Sequence, residues 1–124
     1  MISKKSRLAI VSPIRTPIGA FGKSLKDVPA EMLLALCFRT SVKKSGIDRR
    51  QINQVIAGNV CQPPDAPNIA RTAALLANLP QDIPADSVQR NCASGIQSIT
   101  TAHDRWGASR GNIFLVGGAE NMSR

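Results

Sequence analysis

A chain of 124 residues with 43% hydrophobic residues carries enough apolar material for one domain with a core, which excludes a disordered chain. Sixteen Lys and Arg against eight Asp and Glu give a formal net charge of +8, a balance that raises nucleic acid or another phosphate-bearing partner. The basic residues are nonetheless scattered in ones and twos, as in Lys4-Lys5, Lys43-Lys44 and Arg49-Arg50. With no Tyr, three Phe and one Trp, base-stacking platforms are scarce, so solvated faces account for the charge and no nucleic-acid partner is expected. No apolar run approaches the ~20 residues of a membrane span. The basic start, Met1 to Arg7, is followed only by the short run Leu8-Ala9-Ile10-Val11, too short for a signal-peptide core. Cys37, Cys61 and Cys92 form no C-x-x-C pair and leave an odd thiol, so no metal site is expected and a reduced, cytoplasmic location is.

Leu8-Ala9-Ile10-Val11 has the fully apolar character of a strand buried on both faces of a parallel sheet. A loop punctuated by Pro and Gly, residues 12–22, follows it. A helix is expected from about Pro29 to Lys44, its apolar side marked by Met32, Leu33 and Leu36, with Cys37 in the core and Gly46 closing it. Gln54 to Gly58 supplies the next strand, and Cys61 to Pro67 a proline-rich loop. Asn68 is a natural N-cap for a helix through Ile69, Ala73, Leu76 and Ala77, ended by Leu79-Pro80. Pro84 to Arg90 forms a third strand. Cys92 to about Trp106 forms a third helix, in which Cys92, Ile96, Ile99, His103 and Trp106 mark one face. Asn112 to Gly118 is a fourth buried strand with a glycine-rich exit. This alternation defines an α/β fold with a mostly parallel sheet and helices on both faces. No internal repeat or linker divides residues 1–124, and the last strand has no helix after it to cover that end of the sheet.

Cys92 lies where an apolar strand gives way to a helix, within Gln89-Arg90-Asn91-Cys92-Ala93-Ser94-Gly95. A sulfur beside a helix amino end is favoured as thiolate, the form that attacks carbonyls, so the placement suggests a nucleophile. The plain alternative is a small buried apolar residue.

Ile10-Val11-Ser12-Pro13-Ile14-Arg15-Thr16-Pro17-Ile18-Gly19 resembles the V-x-x-x-R-T-P-x-G opening of the thiolases, acetyl-CoA acetyltransferases and 3-ketoacyl-CoA thiolases. Phe21 to Leu25 continues it, with Lys23 where a second glycine is common. Gly58-Asn59-Val60 and Asn68-Ile69-Ala70-Arg71 follow in order. Val88 to Gly95 is similar to the active-site block V-N-x-x-C-x-S-G, with Gln89 at the frequent asparagine. Gly117 to Ser123 is similar to G-G-x-E-x-M-S. Arg15-Thr16-Pro17 and Glu120 to Ser123 lean toward thiolase over the related ketoacyl synthases. Pro63, Pro64 and Pro67 depart from the family pattern and are expected to stiffen their loop.

The resemblance implies a thiolase-like layered fold, represented here by one half of its usual duplication. It also implies that Cys92 accepts an acyl group as a thioester, with acyl-CoA or coenzyme A as substrate and no separate cofactor. The reaction would condense acyl-CoA with acetyl-CoA to 3-ketoacyl-CoA and CoA, or reverse it, in fatty-acid metabolism. A backbone N–H at Cys92 would steady the oxyanion, and Gly95 would let neighbouring backbone come close.

The family's G-H-P histidine, C-x-G-G-G second cysteine and N-E-A-F asparagine have no counterpart in these 124 residues. The sole histidine, His103, stands ~16 Å along the helix from Cys92, beyond a general base's reach, and Cys61 matches no catalytic cysteine. Activity is therefore expected only with a complementary carboxy-terminal thiolase subunit, and a homo-oligomer is the other partner considered. The alternatives are a non-catalytic thiolase remnant ending in an unpaired sheet edge and a small basic module binding CoA or nucleic acid by charge.

Overall fold

A computed structural model describes residues 6–124. Three parallel strands lie side by side in the order β2-β1-β3, where β1 is Gln54–Gly58, β2 Ala85–Val88 and β3 Phe114–Gly118. β1 meets β2 from Val55–Ala85 to Gly58–Val88, and meets β3 from Gln54–Phe114 to Gly58–Gly118. From Val55 onward the central strand is apolar, because neither of its faces sees water there. Val55, Ile56 and Ala57 are all fully buried.

The helices are α1 (Ala30–Ser45), α2 (Ile69–Leu76) and α3 (Ser94–Gly107), with a 3-10 turn at Arg49–Gln51 that the sequence patterning does not reveal. α1 packs on α2, and both cover one face of the sheet, where Leu34, Phe38, Ile69, Ala70 and Ala73 meet Val55, Ala57 and Leu115. Burying side chains as large as Phe38 and Ile69 contributes about 1.5–3 kcal/mol each. α3 covers the opposite face, over β1 and β3. Its buried residues are small, Ser94, Ser98 and Ala102. The crossovers through α2 and α3 thus lie on opposite faces: the chain steps from β1 out to β2, then turns back past β1 to β3.

Four sequence expectations need correction. Leu8-Ala9-Ile10-Val11 is not a strand: it runs as extended coil with Ile10 68% and Val11 57% exposed. Ser12 takes a left-handed φ of 50°, and its carbonyl is held by the Ser41 hydroxyl at 2.9 Å, so the run before it joins no ladder. In α1 the buried stripe is Ala30, Leu34, Ala35 and Phe38, whereas Met32 and Leu36 are more than half exposed. Phe38, with the largest apolar surface on the helix, decides which side turns inward, and Cys37 is left half-buried. In α3 Ile96 and His103 point outward and Ile99 is only half-buried, because the close approach of this helix to the sheet admits only its small residues. Trp106 is half-buried. The fourth expected strand is observed as β3, but as a partly exposed edge.

Asn68 caps α2 as expected. Its Oδ1 accepts from Arg71 N–H at 3.1 Å and from the Ser87 hydroxyl at 3.0 Å, while its Nδ2 donates to the Ala85 carbonyl at 3.0 Å. One side chain therefore fixes both the start of α2 and its seat on β2. Asn68→Ala is expected to cost about 2 kcal/mol, an N-cap together with a cross-element hydrogen bond. The measurement is a urea midpoint lowered with unchanged slope.

Candidate active site at the carboxyl edge of the sheet

All three strands run in the same direction, so the loops leaving their carboxyl ends gather at one edge. In doubly wound sheets that edge, near the reversal of strand order, is where ligands bind. Residues 59–61, 89–93 and 119–120 meet this description.

The segment carrying Cys92 is a tight strand-to-helix turn. Asn91 sits in the left-handed region at φ 47°, a conformation most non-glycine residues avoid. Ser94 closes the turn: its hydroxyl donates to the Asn91 carbonyl at 2.7 Å and accepts from the Arg90 N–H at 2.8 Å. Ala93 N–H donates to the Arg90 carbonyl at 3.0 Å. The Gln89 amide lies over the same turn, with long contacts of 3.4 and 3.5 Å to Asn91. The turn presents Cys92 to solvent, and its thiol is unbridged. Helix α3 begins at Ser94, two residues later than the sequence suggests, so Cys92 precedes the helix rather than opening it. The residue in the cap position, Ala93, makes no side-chain capping bond. Where α2 satisfies its first turn with Asn68, α3 leaves that work to other groups.

The position of the turn is set by glycine at 58. A Cβ there would lie 2.4 Å from the Ser94 carbonyl carbon and oxygen and 2.8 Å from Gly95 N. The first turn of α3 thus rests directly on the end of β1, with Gly118 beside it on β3. Gly95, expected from sequence to be the close-approach glycine, is not: a Cβ on it meets nothing within 4 Å. The contact belongs to the strand's glycine, Gly58, which the sequence marks as part of the Gly58-Asn59-Val60 match but not as a close-approach position.

Glu120 ties the neighbouring loops together. Its Oε1 accepts from Asn59 Nδ2 at 3.1 Å and Cys61 N–H at 2.8 Å, and its Oε2 accepts from Val60 N–H at 2.9 Å. Asn59, buried at the end of β1, also donates to the Ala119 carbonyl at 2.9 Å. Cys61 is exposed beside this clasp. Asn121 Nδ2 is shared among the carbonyls of Leu25, Lys26 and Val28, the shortest contact being 2.8 Å, and the Ser123 hydroxyl accepts from Gly22 N–H at 2.9 Å. The run Glu120 to Ser123 is therefore a knot that fastens the loop after β1 and the loop before α1 to the end of β3. A glycine pair closing a strand, followed by consecutive hydrogen-bonding side chains, is the sequence signal for it.

His103 lies on the outward face of α3, with its ring 5.9 Å from that of Trp106 and its Nδ1 3.6 Å from an Asp104 oxygen. Among the described residues, no three His, Cys, Asp or Glu gather as a metal site. No helix among them is long and apolar enough to cross a membrane.

These features define a doubly wound α/β domain with an exposed cysteine on a strained turn at the carboxyl edge of its sheet. The thiolase amino-terminal domain matches residues 8–124, and the chain belongs to the thiolase family. It is 41% identical over 119 residues to a probable acetyl-CoA acyltransferase of Staphylococcus aureus (strain MRSA252), covering 96% of this chain and 30% of that protein. A protein with the same description from S. aureus strain bovine RF122 / ET3-1 is 40% identical over the same span. The crystal structure of the Bacillus anthracis acetyl-CoA acetyltransferase superposes with a TM-score of 0.84 at 35% identity, over 92% of this chain and 29% of that one. The chain thus spans about 30% of the length of the curated relatives it matches, and its fold is an incomplete thiolase fold.

Proposed function

We propose that this chain carries the acyl-accepting part of a thiolase-type acyltransferase, with Cys92 as the nucleophile. The observation that supports this most is the placement of Cys92: exposed, on a turn fixed by Ser94 and seated on Gly58 at the carboxyl edge of a thiolase-family sheet. In the step assigned to it, the Cys92 thiolate attacks the carbonyl carbon of an acyl-CoA. The tetrahedral oxyanion collapses, the bond to the CoA sulfur breaks, and CoA leaves as its thiolate. In the condensing direction a base on further thiolase polypeptide takes the α-proton of acetyl-CoA, whose α-carbon attacks the thioester carbonyl; the bond to the Cys92 sulfur breaks and Cys92 leaves as its thiolate. In the thiolytic direction the acyl-cysteine left by cleavage of a 3-ketoacyl-CoA is attacked by the CoA thiolate, and Cys92 again leaves. Splitting the exchange through a covalent thioester replaces one difficult step by two easier ones.

The uncapped amino end of α3 offers N–H groups toward the oxyanion. Among the described residues no histidine stands with Cys92, since His103 lies on the outward face of its helix, so turnover belongs to this chain together with further thiolase polypeptide. Coenzyme A acts as substrate, and three unbridged thiols fit the reducing cytoplasm as the site of action.

The test mixes the chain with acetyl-CoA and the remaining 70% or so of the S. aureus relative, then examines the peptide bearing Cys92 by mass spectrometry. An acetyl adduct on Cys92, absent from Cys92→Ser, is the expected result. Acetylation confined to Cys37 or Cys61 overturns the proposal.

A further inference from the structure

α1 and α2 lie side by side over one face of the sheet, so their outward sides form one surface. On α1 the side opposite the buried stripe carries Met32, Leu36, Arg39 and Lys43, spaced by four, three and four residues. Glu31, the only acid of this helix, lies off that line. On α2 Leu75 and Leu76 are exposed. Two arginines meet at the carboxyl end of α2: Arg39 donates through Nη2 to the Leu76 carbonyl and Arg49 through Nη1 to the Asn78 carbonyl, each at 2.9 Å. Lys43 follows Arg39 by one turn, and Lys44 adjoins it. Basic residues that stand in ones and twos along the sequence are thus gathered by the fold. Among the described residues none of these four cations forms an ion pair, whereas the neighbouring Arg50 is paired with Asp48. The surface joins four exposed apolar side chains to four unneutralised cations.

We propose that this surface is a peripheral docking face for an anionic lipid bilayer, with Arg39, Lys43, Lys44 and Arg49 at the headgroups and Met32, Leu36, Leu75 and Leu76 at the acyl boundary. The inference goes beyond the acyltransferase reading and does not depend on it. A bilayer of this charge meets both halves of the surface together: its phosphates attract the cations, and the boundary beneath them takes apolar side chains out of water. Free phosphate would leave the apolar half uncovered. For nucleic acid the two helices offer no exposed aromatic side chain to stack a base. Each cation near such a membrane tightens binding by about fivefold. Four of them with a shallow apolar contact give reversible, salt-sensitive attachment rather than insertion. α1 and α2 each end where the next strand begins, so the cations sit at the edge of the sheet opposite Cys92. Docking by this face leaves the carboxyl edge open to soluble substrate.

The experiment sediments the 124-residue chain with vesicles of phosphatidylcholine, alone or mixed equally with phosphatidylglycerol. Binding to the anionic vesicles is expected to be at least tenfold tighter than to the neutral ones. It should weaken at least tenfold between about 0.05 and 0.5 M sodium chloride. Lys43→Glu with Lys44→Glu should weaken it by about 25-fold or more, and Leu36→Gln by about threefold. Both should melt like the unmodified chain, since Lys43, Lys44 and Leu36 are exposed. Lys23→Glu with Lys26→Glu, which changes the net charge identically in the loop before α1, should keep most of the binding. Equal loss in the two lysine pairs overturns the proposal, because net charge alone then explains retention. No retention, or equal retention on neutral vesicles, overturns it as well. Release by inorganic phosphate beyond that by sodium chloride of equal ionic strength, with Leu36→Gln binding unchanged, gives the cations to a free anion instead. Tighter retention of an RNA oligonucleotide gives them to nucleic acid, and a dimer that the Lys43 and Lys44 pair of changes dissolves gives the face to a second copy; each removes the bilayer. Acetylation of Cys92 is measured without vesicles, so either reading can fail alone.

Discussion

Replacing Gly58 by alanine should lower the stability of the domain by about 3 kcal/mol, the upper part of the range for overpacked positions. The reason is specific. The added Cβ would sit 2.4 Å from the Ser94 carbonyl group and 2.8 Å from Gly95 N. These are backbone atoms, so no rotamer change relieves the contact, and the amino end of α3 must lift from the sheet. Set against the ~5–15 kcal/mol that holds a typical domain together, this is a large fraction. A fall of about 10 °C in Tm is expected for a domain of this size. Trp106, the only tryptophan and part of α3, should report the displacement through a shifted emission maximum. Two neighbouring glycines provide the contrast. Gly118→Ala meets a single backbone oxygen at 3.1 Å and should cost less. Gly95→Ala meets nothing and, as a helical Gly→Ala change, should stabilise by about 0.5–1 kcal/mol. Equal effects at 58 and 95 would show that α3 does not rest on β1 as described.

Cys92→Ser should reduce turnover of the reconstituted enzyme on the order of 10^3-fold or more, with stability unchanged. Serine keeps the shape of the side chain but replaces a thiol with a hydroxyl that is far weaker as a nucleophile near neutral pH. Because Cys92 is exposed on a turn held by the Ser94 hydroxyl and by backbone bonds, the exchange disturbs no packing. The loss should fall on kcat, with KM for acyl-CoA little changed, since the interaction removed is made with the reacting carbon. A loss confined to KM would assign Cys92 to binding.

Much of this fold is legible in the sequence where a single local rule decides. β1 occupies the expected residues 54–58 because a central parallel strand must be apolar on both sides. α2 begins at Asn68 because an Asx side chain can satisfy the first turn. The misses arise where tertiary contacts decide. Periodicity in α1 identifies a helix but not its inward side, which the bulk of Phe38 selects. The outward turn of Ile96 follows from the glycine seat beneath α3, invisible to any window drawn along α3 alone. Leu8–Val11 has strand chemistry without a neighbouring strand to pair with, so its expected conformation is absent. Cys92 stood out through its motif and its strand-to-helix position. Gly58, Ser94 and Glu120, which hold the carboxyl edge together, come from three separate stretches of chain, and only the folded arrangement brings their roles into view.

The most direct measurement compares the alkylation rates of Cys92 and Cys61 by iodoacetamide in the folded chain at neutral pH. Both thiols are exposed, so access alone gives them similar rates. A nucleophile prepared by its turn should react at least tenfold faster at Cys92, and that advantage should vanish in denaturant. Indistinguishable rates at the two positions in the native protein would contradict the assignment of Cys92 as the acyl acceptor.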